Sequence, residues 1–148
     1  ESLEGAIELL FISSVRLVGL CLPHLQASGH GRVVAITSSS VREPIPNLAL
    51  SNAVRPGLVG WLKTLAREVG PDGITVNAIA PGRIATERLK EVYGEAGPSE
   101  ADLEGIALRR IGEPHEVAQV VAFLASDRAA YVSGTVLPVD GGLTRGLL

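Results

Sequence analysis

Long helical patterns alternate with short apolar runs along this chain. Leu3, Ile7, Leu10, Phe11, Ser14, Val18, Cys21, Leu22 and Leu25 recur at the three-to-four spacing of one helix face, and Gly29 and Gly31 end the pattern. Arg32 to Thr37 is β-branched and apolar without alternation, as in a parallel strand covered on both faces. Residues 38–50 form a polar loop in which Pro44 and Pro46 forbid a helix. A second helix is predicted over residues 53–69, with Val54, Leu58, Leu62, Leu65 and Val69 on one face. The turn Gly70-Pro71-Asp72-Gly73 leads into a second covered strand, residues 74–79, stopped by Pro81 and Gly82. Residues 83–110 are charged and accommodate one or two short helices. Pro114 suits the first position of a further helix whose stripe is Val117, Val120, Val121 and Leu124. Residues 135–139 form a third strand before Asp140-Gly141-Gly142. Strands alternating with helices predict an α/β domain with a parallel sheet built from right-handed crossovers.

Composition narrows the options. A chain of 148 residues fits one domain, and with 46% hydrophobic residues but 3% aromatics its core must be aliphatic. The net charge of −3 carries no basic block able to neutralise several phosphates, so nucleic acid is not an expected partner. The most apolar stretch, residues 9–22, contains Arg16 and falls short of the roughly 20 residues of a membrane span. Glu1 and Glu4 replace the basic start of a signal peptide. Cys21 is the only cysteine, which excludes an internal disulfide and a cysteine metal cluster. It is expected in the core, and the compartment is expected to be cytoplasmic. His24, His30 and His115 lack the mutual spacing of metal ligands, so no metal site is expected. The absence of methionine and of a strand before the first helix reads as a processed start or as a piece of a longer polypeptide.

Three strings carry a resemblance. Gly31 to Ser39, GRVVAITSS, is a strand running into serines; Asn77 to Gly82, NAIAPG, is followed by Thr86. Arg110-Ile111-Gly112-Glu113-Pro114, then Phe123 to Asp127, Gly134 and Val139 to Gly142, complete the set. Together they resemble the carboxyl-terminal part of the short-chain dehydrogenase/reductase family over nearly the whole chain. The resemblance implies a Rossmann-like, doubly wound parallel sheet, with residues 1–148 as one domain holding about three of its strands. It implies NAD or NADP as cofactor and a small alcohol or carbonyl as substrate. The glycine-rich turn that holds the pyrophosphate in such folds is absent from this chain.

In that family a tyrosine protonates the carbonyl while a lysine four positions later holds the ribose and lowers the tyrosine pKa. A strand-end serine orients the carbonyl oxygen. Matching Gly60 to Ala66 to the family's helix puts Ser51 at the tyrosine position and Arg55 at the lysine position. Ser38, thirteen residues before Ser51, takes the serine position, with Thr37 and Ser39 as alternatives one register away. The family's helix asparagine matches Leu10. An aliphatic hydroxyl is a far weaker acid than a phenol of pKa about 10, and arginine does not release its proton. Losing the general acid costs on the order of 10²–10⁴ in rate. Arg55 would instead hold a ribose hydroxyl or stabilise an alkoxide, with water supplying the proton.

Each of these residues also has a plainer role open to it. Ser51 suits a helix N-cap, with Asn52 as a competing cap and Pro56 marking a helix start. Arg55 suits a solvated surface, and Ser38 suits a hydroxyl bonded to local backbone. Pro81, Gly82, Ile84 and Thr86 match the family's loop at the nicotinamide end of the cofactor; alternatively they form an ordinary strand-to-helix turn. Tyr93 lies in the charged stretch, either on a lid able to reach the site or as a partly exposed loop aromatic.

Three functions follow from the sequence: an oxidoreductase with an atypical proton relay, a non-catalytic binder of a dinucleotide or metabolite, and an inactive fragment. The resemblance further implies a homodimer or homotetramer, packed through the first two helices and the last strand.

Overall fold

The computed structural model describes residues 2–87, 89, 93, 94 and 97–147. Helix α1 runs over Leu3–Ser28, with a π turn at Glu8–Ile12, and ends at Gly29, whose φ of 66° reverses the chain. Strand β1 (Arg32–Ile36) is followed by helix α2 (Ala49–Glu68) and strand β2 (Thr75–Pro81). A one-turn helix α3 (Glu100–Glu104), helix α4 (Pro114–Ala125) and strand β3 (Val136–Val139) complete the order. All pairings are parallel in the order β1-β2-β3, with Val34 opposite Asn77 and Ile79 opposite Leu137.

Strand alternation divides the core between the two faces of the sheet. On one face Leu58, Leu62, Leu65 and Val69 pack on Ile74, Val76 and Ala78, flanked by Phe11, Val18, Leu22 and Leu25 of α1. On the other, Val117, Leu124 and Ala129 pack on Ile79, with Val34, Ile84 and Val139 beside them. On the same side of β2 as Ile79 lies Asn77, 1% exposed, whose amide donates to the Val132 carbonyl and accepts from the Thr135 N–H. It ties the segment before β3 to the central strand, satisfying a buried amide that would otherwise be costly.

Several expectations are corrected. β2 is buried along nearly its whole length, but β1 is only half-buried and its Ile36 is exposed, because β1 pairs on one side only. Cys21 is exposed, not in the core, since it lies off the α1 face that meets the sheet. The apolar segment is longer than residues 9–22. Helix continues through Glu8 and Pro23, so α1 has 26 residues and is long and apolar enough, by length and composition alone, to cross a membrane. Helix α2 begins at Ala49 rather than residue 53, capped by Leu48 with no side-chain bond. Ser51 is therefore inside the first turn and is not the N-cap, and neither is Asn52. Pro56 sits within α2 rather than at its start, on an exposed position.

Candidate functional site

The loops leaving β1 and β2 emerge at the carboxyl edge of the sheet, the edge where open parallel α/β sheets bind ligands. At the end of β1, Thr37 is locked to β2: its N–H and its hydroxyl both donate to the Ile79 carbonyl, at 2.8 and 2.7 Å. Ser38 is extended and caps a tight turn, Ser39–Val41, by accepting from the Ser40 N–H at 3.1 Å. That turn buries Ser40 and aims its hydroxyl at α2, where Oγ lies 3.5 Å from Ser51 Oγ. Such a separation is at the outer limit of a hydrogen bond.

Ser51 and Arg55 stand one helical turn apart on α2, so their side chains share a face. Arg55 Nε donates to Ser51 Oγ at 3.1 Å, and Nη1 donates to the Thr37 carbonyl at 3.3 Å. Nη2 has no partner among the described residues, and no carboxylate among them pairs with the guanidinium. Half-burial of Arg55 lowers its pKa below the usual arginine value through desolvation. The group nonetheless stays protonated at neutral pH. The corner thus holds two hydroxyls and one fixed cation.

The sequence-predicted trio is brought together in part. Ser51 and Arg55 touch, whereas Ser38 spends its lone pair on its own turn and Ser40 meets Ser51 in its place. Ser40 escaped notice because the three consecutive serines Ser38, Ser39 and Ser40 are chemically identical, and only the turn geometry separates them. No cap is needed from Asn52, whose amide instead clasps Ile45, donating to its carbonyl and accepting from its N–H. Farther along the same loop, Arg42 donates to the Val136 carbonyl at 2.7 Å and Glu43 accepts from the N–H groups of Arg145 and Gly146. The loop that carries the serines is therefore tied to β3 and to the chain's last residues.

The β2 side is built differently. Pro81 pairs with Val139, and Gly82 donates to the Val139 carbonyl. A Cβ at Gly82 would lie 2.7 Å from Asp140 Cβ, so the glycine is required by the close approach of β3's end. Asp140 there accepts from Gly142 and from the N–H and hydroxyl of Thr144, which holds its carboxyl below the ordinary aspartate value despite partial burial. Ile84 bridges Gly112 and packs into the core, while Thr86 is exposed with its hydroxyl 3.4 Å from the Ile84 carbonyl. Beside Arg83, Ile84 and Gly112 opens a cavity of about 500 Å³ that also touches Val139 and Asp140. Its charged rim is internally neutralised. Arg110 grips Glu116 through two bonds of 2.8 and 2.6 Å, which drop the Glu116 pKa to about 2. Arg83 lies 3.6 Å from Asp102 and 5.6 Å from the Tyr93 ring centre. Tyr131 is fully exposed, so neither tyrosine contacts the serine–arginine corner. Among the described residues, no cluster of His, Cys, Asp and Glu is suited to a metal.

Residues 1–144 match a family model described as enoyl-(acyl carrier protein) reductase. The chain is 36% identical over 147 residues to 2,3-dihydroxy-2,3-dihydro-p-cumate dehydrogenase of Pseudomonas putida, covering 97% of this chain and 56% of that protein. It is 43% identical over 133 residues to the 3-oxoacyl-[acyl-carrier-protein] reductase FabG of Pseudomonas aeruginosa, covering 88% and 52%. The fold superposes on YwfH, an NADPH-dependent reductase involved in bacilysin biosynthesis, with a TM-score of 0.85 at 27% identity, covering 92% of this chain and 56% of that one. The chain spans about half the length of the curated relatives it matches.

Proposed function

Because the chain belongs to the short-chain dehydrogenase/reductase family, we propose that it supplies the substrate side of an NAD(P)-dependent oxidoreductase acting on a small alcohol or carbonyl. In this reading residues 1–148 are one domain, the carboxyl-terminal portion of a Rossmann-type enzyme. The observation that carries the proposal is the meeting of Ser40, Ser51 and Arg55 beside the end of β1, at the sheet's carboxyl edge.

The donor set fits the nicotinamide end of a dinucleotide. Arg55 Nη2 and the serine hydroxyls offer hydrogen bonds to ribose or carbonyl oxygens. Pro81, Gly82, Ile84 and the exposed Thr86 hydroxyl would border the carboxamide. When bound, the cofactor would supply or accept the hydride. This chain's own part is then electrostatic: Ser51 and Ser40, or Ser38 at the turn's start, orient the carbonyl oxygen, and Arg55 stabilises the negative charge that develops on it. Water delivers the proton, since neither hydroxyl nor guanidinium is acidic near pH 7. Without a phenol, turnover falls below a tyrosine-based relay by on the order of 10²–10⁴.

Exposed Leu9, Leu17 and Leu20 on α1 support a homodimer or homotetramer packed through α1 and α2. A protein partner, rather than a membrane, would then cover that surface, consistent with a cytoplasmic enzyme. The test is calorimetry of the full-length protein with NADH and NADPH, followed by assay of a carbonyl panel. Cofactor binding with measurable turnover, reduced about 10²-fold or more by Arg55→Ala, is the expected result. Binding with no turnover on any carbonyl would favour a non-catalytic dinucleotide or metabolite binder, the reading that the lack of a phenol in the corner supports.

A further inference from the structure

We propose that the corner formed by Ser40, Ser51 and Arg55 recognises a carboxylate, so that the carbonyl or alcohol handled here carries an acid group. The inference names a substrate class for the site proposed above, with the carboxylate on Arg55 Nη2 and the adjoining carbonyl oxygen of the same molecule beside the serine hydroxyls. It rests on that reading for the reaction, though not for the binding.

The first observation is an imbalance of charge. Arg32, Arg83 and Arg110 each meet an acid, Asp127, Asp102 and Glu116 respectively. Arg42, half-buried without an acid, ends on the Val136 carbonyl at 2.7 Å. Arg55 is half-buried at the carboxyl edge of the sheet, and its Nη2 meets neither an acid nor a carbonyl among the described residues. A cation taken partly out of water without a counter-charge is destabilised, and a bound anion restores what desolvation removed.

The second observation is orientation. Bonds to Ser51 Oγ and the Thr37 carbonyl hold the guanidinium at two points, so its remaining N–H groups face a set direction before any ligand arrives. Because Ser51 Oγ accepts from Arg55, its own hydrogen is free for Ser40 or for a ligand. The corner therefore presents donors, and its complement is a group of acceptors only. A carboxylate has two coplanar acceptor oxygens and a single charge, which matches one planar guanidinium. A phosphate dianion would ask for a second cation, whereas Arg55 is the single cation of this corner among the described residues.

The experiment uses full-length protein and two separate readouts. Calorimetry without cofactor compares a small 2-oxo acid, its methyl ester and inorganic phosphate. Steady-state reduction with saturating NADH or NADPH compares kcat/KM for the same acid and ester. We expect the acid to bind while ester and phosphate do not, and kcat/KM to favour the acid by about tenfold or more. Arg55→Gln should erase the preference and Arg55→Lys should keep part of it, both with wild-type circular dichroism. Ser40→Ala, which spares the cation, should weaken acid binding by less than tenfold and serves if the arginine variants fail to fold. Equal binding of acid and ester, an acid preference that survives Arg55→Gln, or phosphate bound more tightly than the acid would overturn the proposal. Failure of NAD(P) binding, with the acid still bound through Arg55, would instead remove the oxidoreductase reading and leave the carboxylate site standing.

Discussion

Helices α1 and α2 cover the same face of the sheet, and both read from sequence as apolar on one side, yet they are used differently. α2 buries Leu58, Leu62 and Leu65 against β2. α1 is longer and more apolar, but none of its residues from Ser13 to Ser28 is buried, and Leu9, Leu17 and Leu20 lie in solvent. The difference follows from what each helix faces. α2 sits over the central strand, whereas α1 packs chiefly against α2 itself. An apolar stripe reports how much surface wants covering; it does not name the element that covers it. The serine–arginine corner lies on α2 and at the end of β1.

Substitutions along these elements test the contrast. Leu62→Ala should cost the most, about 2–5 kcal/mol, because it opens a cavity under α2 where packing is complete; chemical denaturation measures it. Next comes Asn77→Ala, which strands the Val132 carbonyl and the Thr135 N–H that the amide now satisfies. Its expected cost is about 1–3 kcal/mol, with faster amide exchange in residues 132–135. Leu20→Asp on α1 should change the chain's own folding stability by no more than about 0.5 kcal/mol. It should nonetheless lower the oligomeric state seen by light scattering; an unchanged oligomer would separate α1 from the proposed interface. A loss of several kcal/mol would instead erase the contrast between the helices.

The smallest effect concerns the start of α4, on the opposite face. Arg110 holds the Glu116 pKa down at about 2, from an ordinary value of 4.5. A depressed carboxyl stabilises the fold above its ordinary pKa and loses that contribution as pH falls from about 4.5 towards 2. Glu116 is exposed, so the effect is small. Glu116→Gln should remove this small contribution at pH 7 and flatten the acid limb, so that variant and wild-type stabilities converge as pH falls towards 2.

The two halves of the site were unequally legible. Ser51 and Arg55 were found from a helix motif, because one-turn spacing on a helix dictates proximity whatever surrounds it. Counting back from Ser51 points to Ser38, with Thr37 and Ser39 one register away, and passes over Ser40 because a count along a loop does not reveal which way a tight turn points each hydroxyl. Gly82 matches the family's loop at the nicotinamide end, and the approach of Asp140 gives it a packing reason that no local pattern contains. The start of α2 was placed four residues late because Ser51 and Asn52 look like caps. Asn52 is committed to Ile45 across the loop, a partner seven residues away.

By itself the sequence determined the elements, the parallel α/β class and the family, since all three rest on local periodicity and on short strings with fixed order. Tertiary structure decided which serine meets Ser51, which strand lies in the centre, and that α1 leaves much of its apolar surface uncovered. Those outcomes depend on contacts between residues far apart in the chain. It likewise left Arg55 as a half-buried cation without an acid among the described residues, because charge balance is a property of neighbours in space.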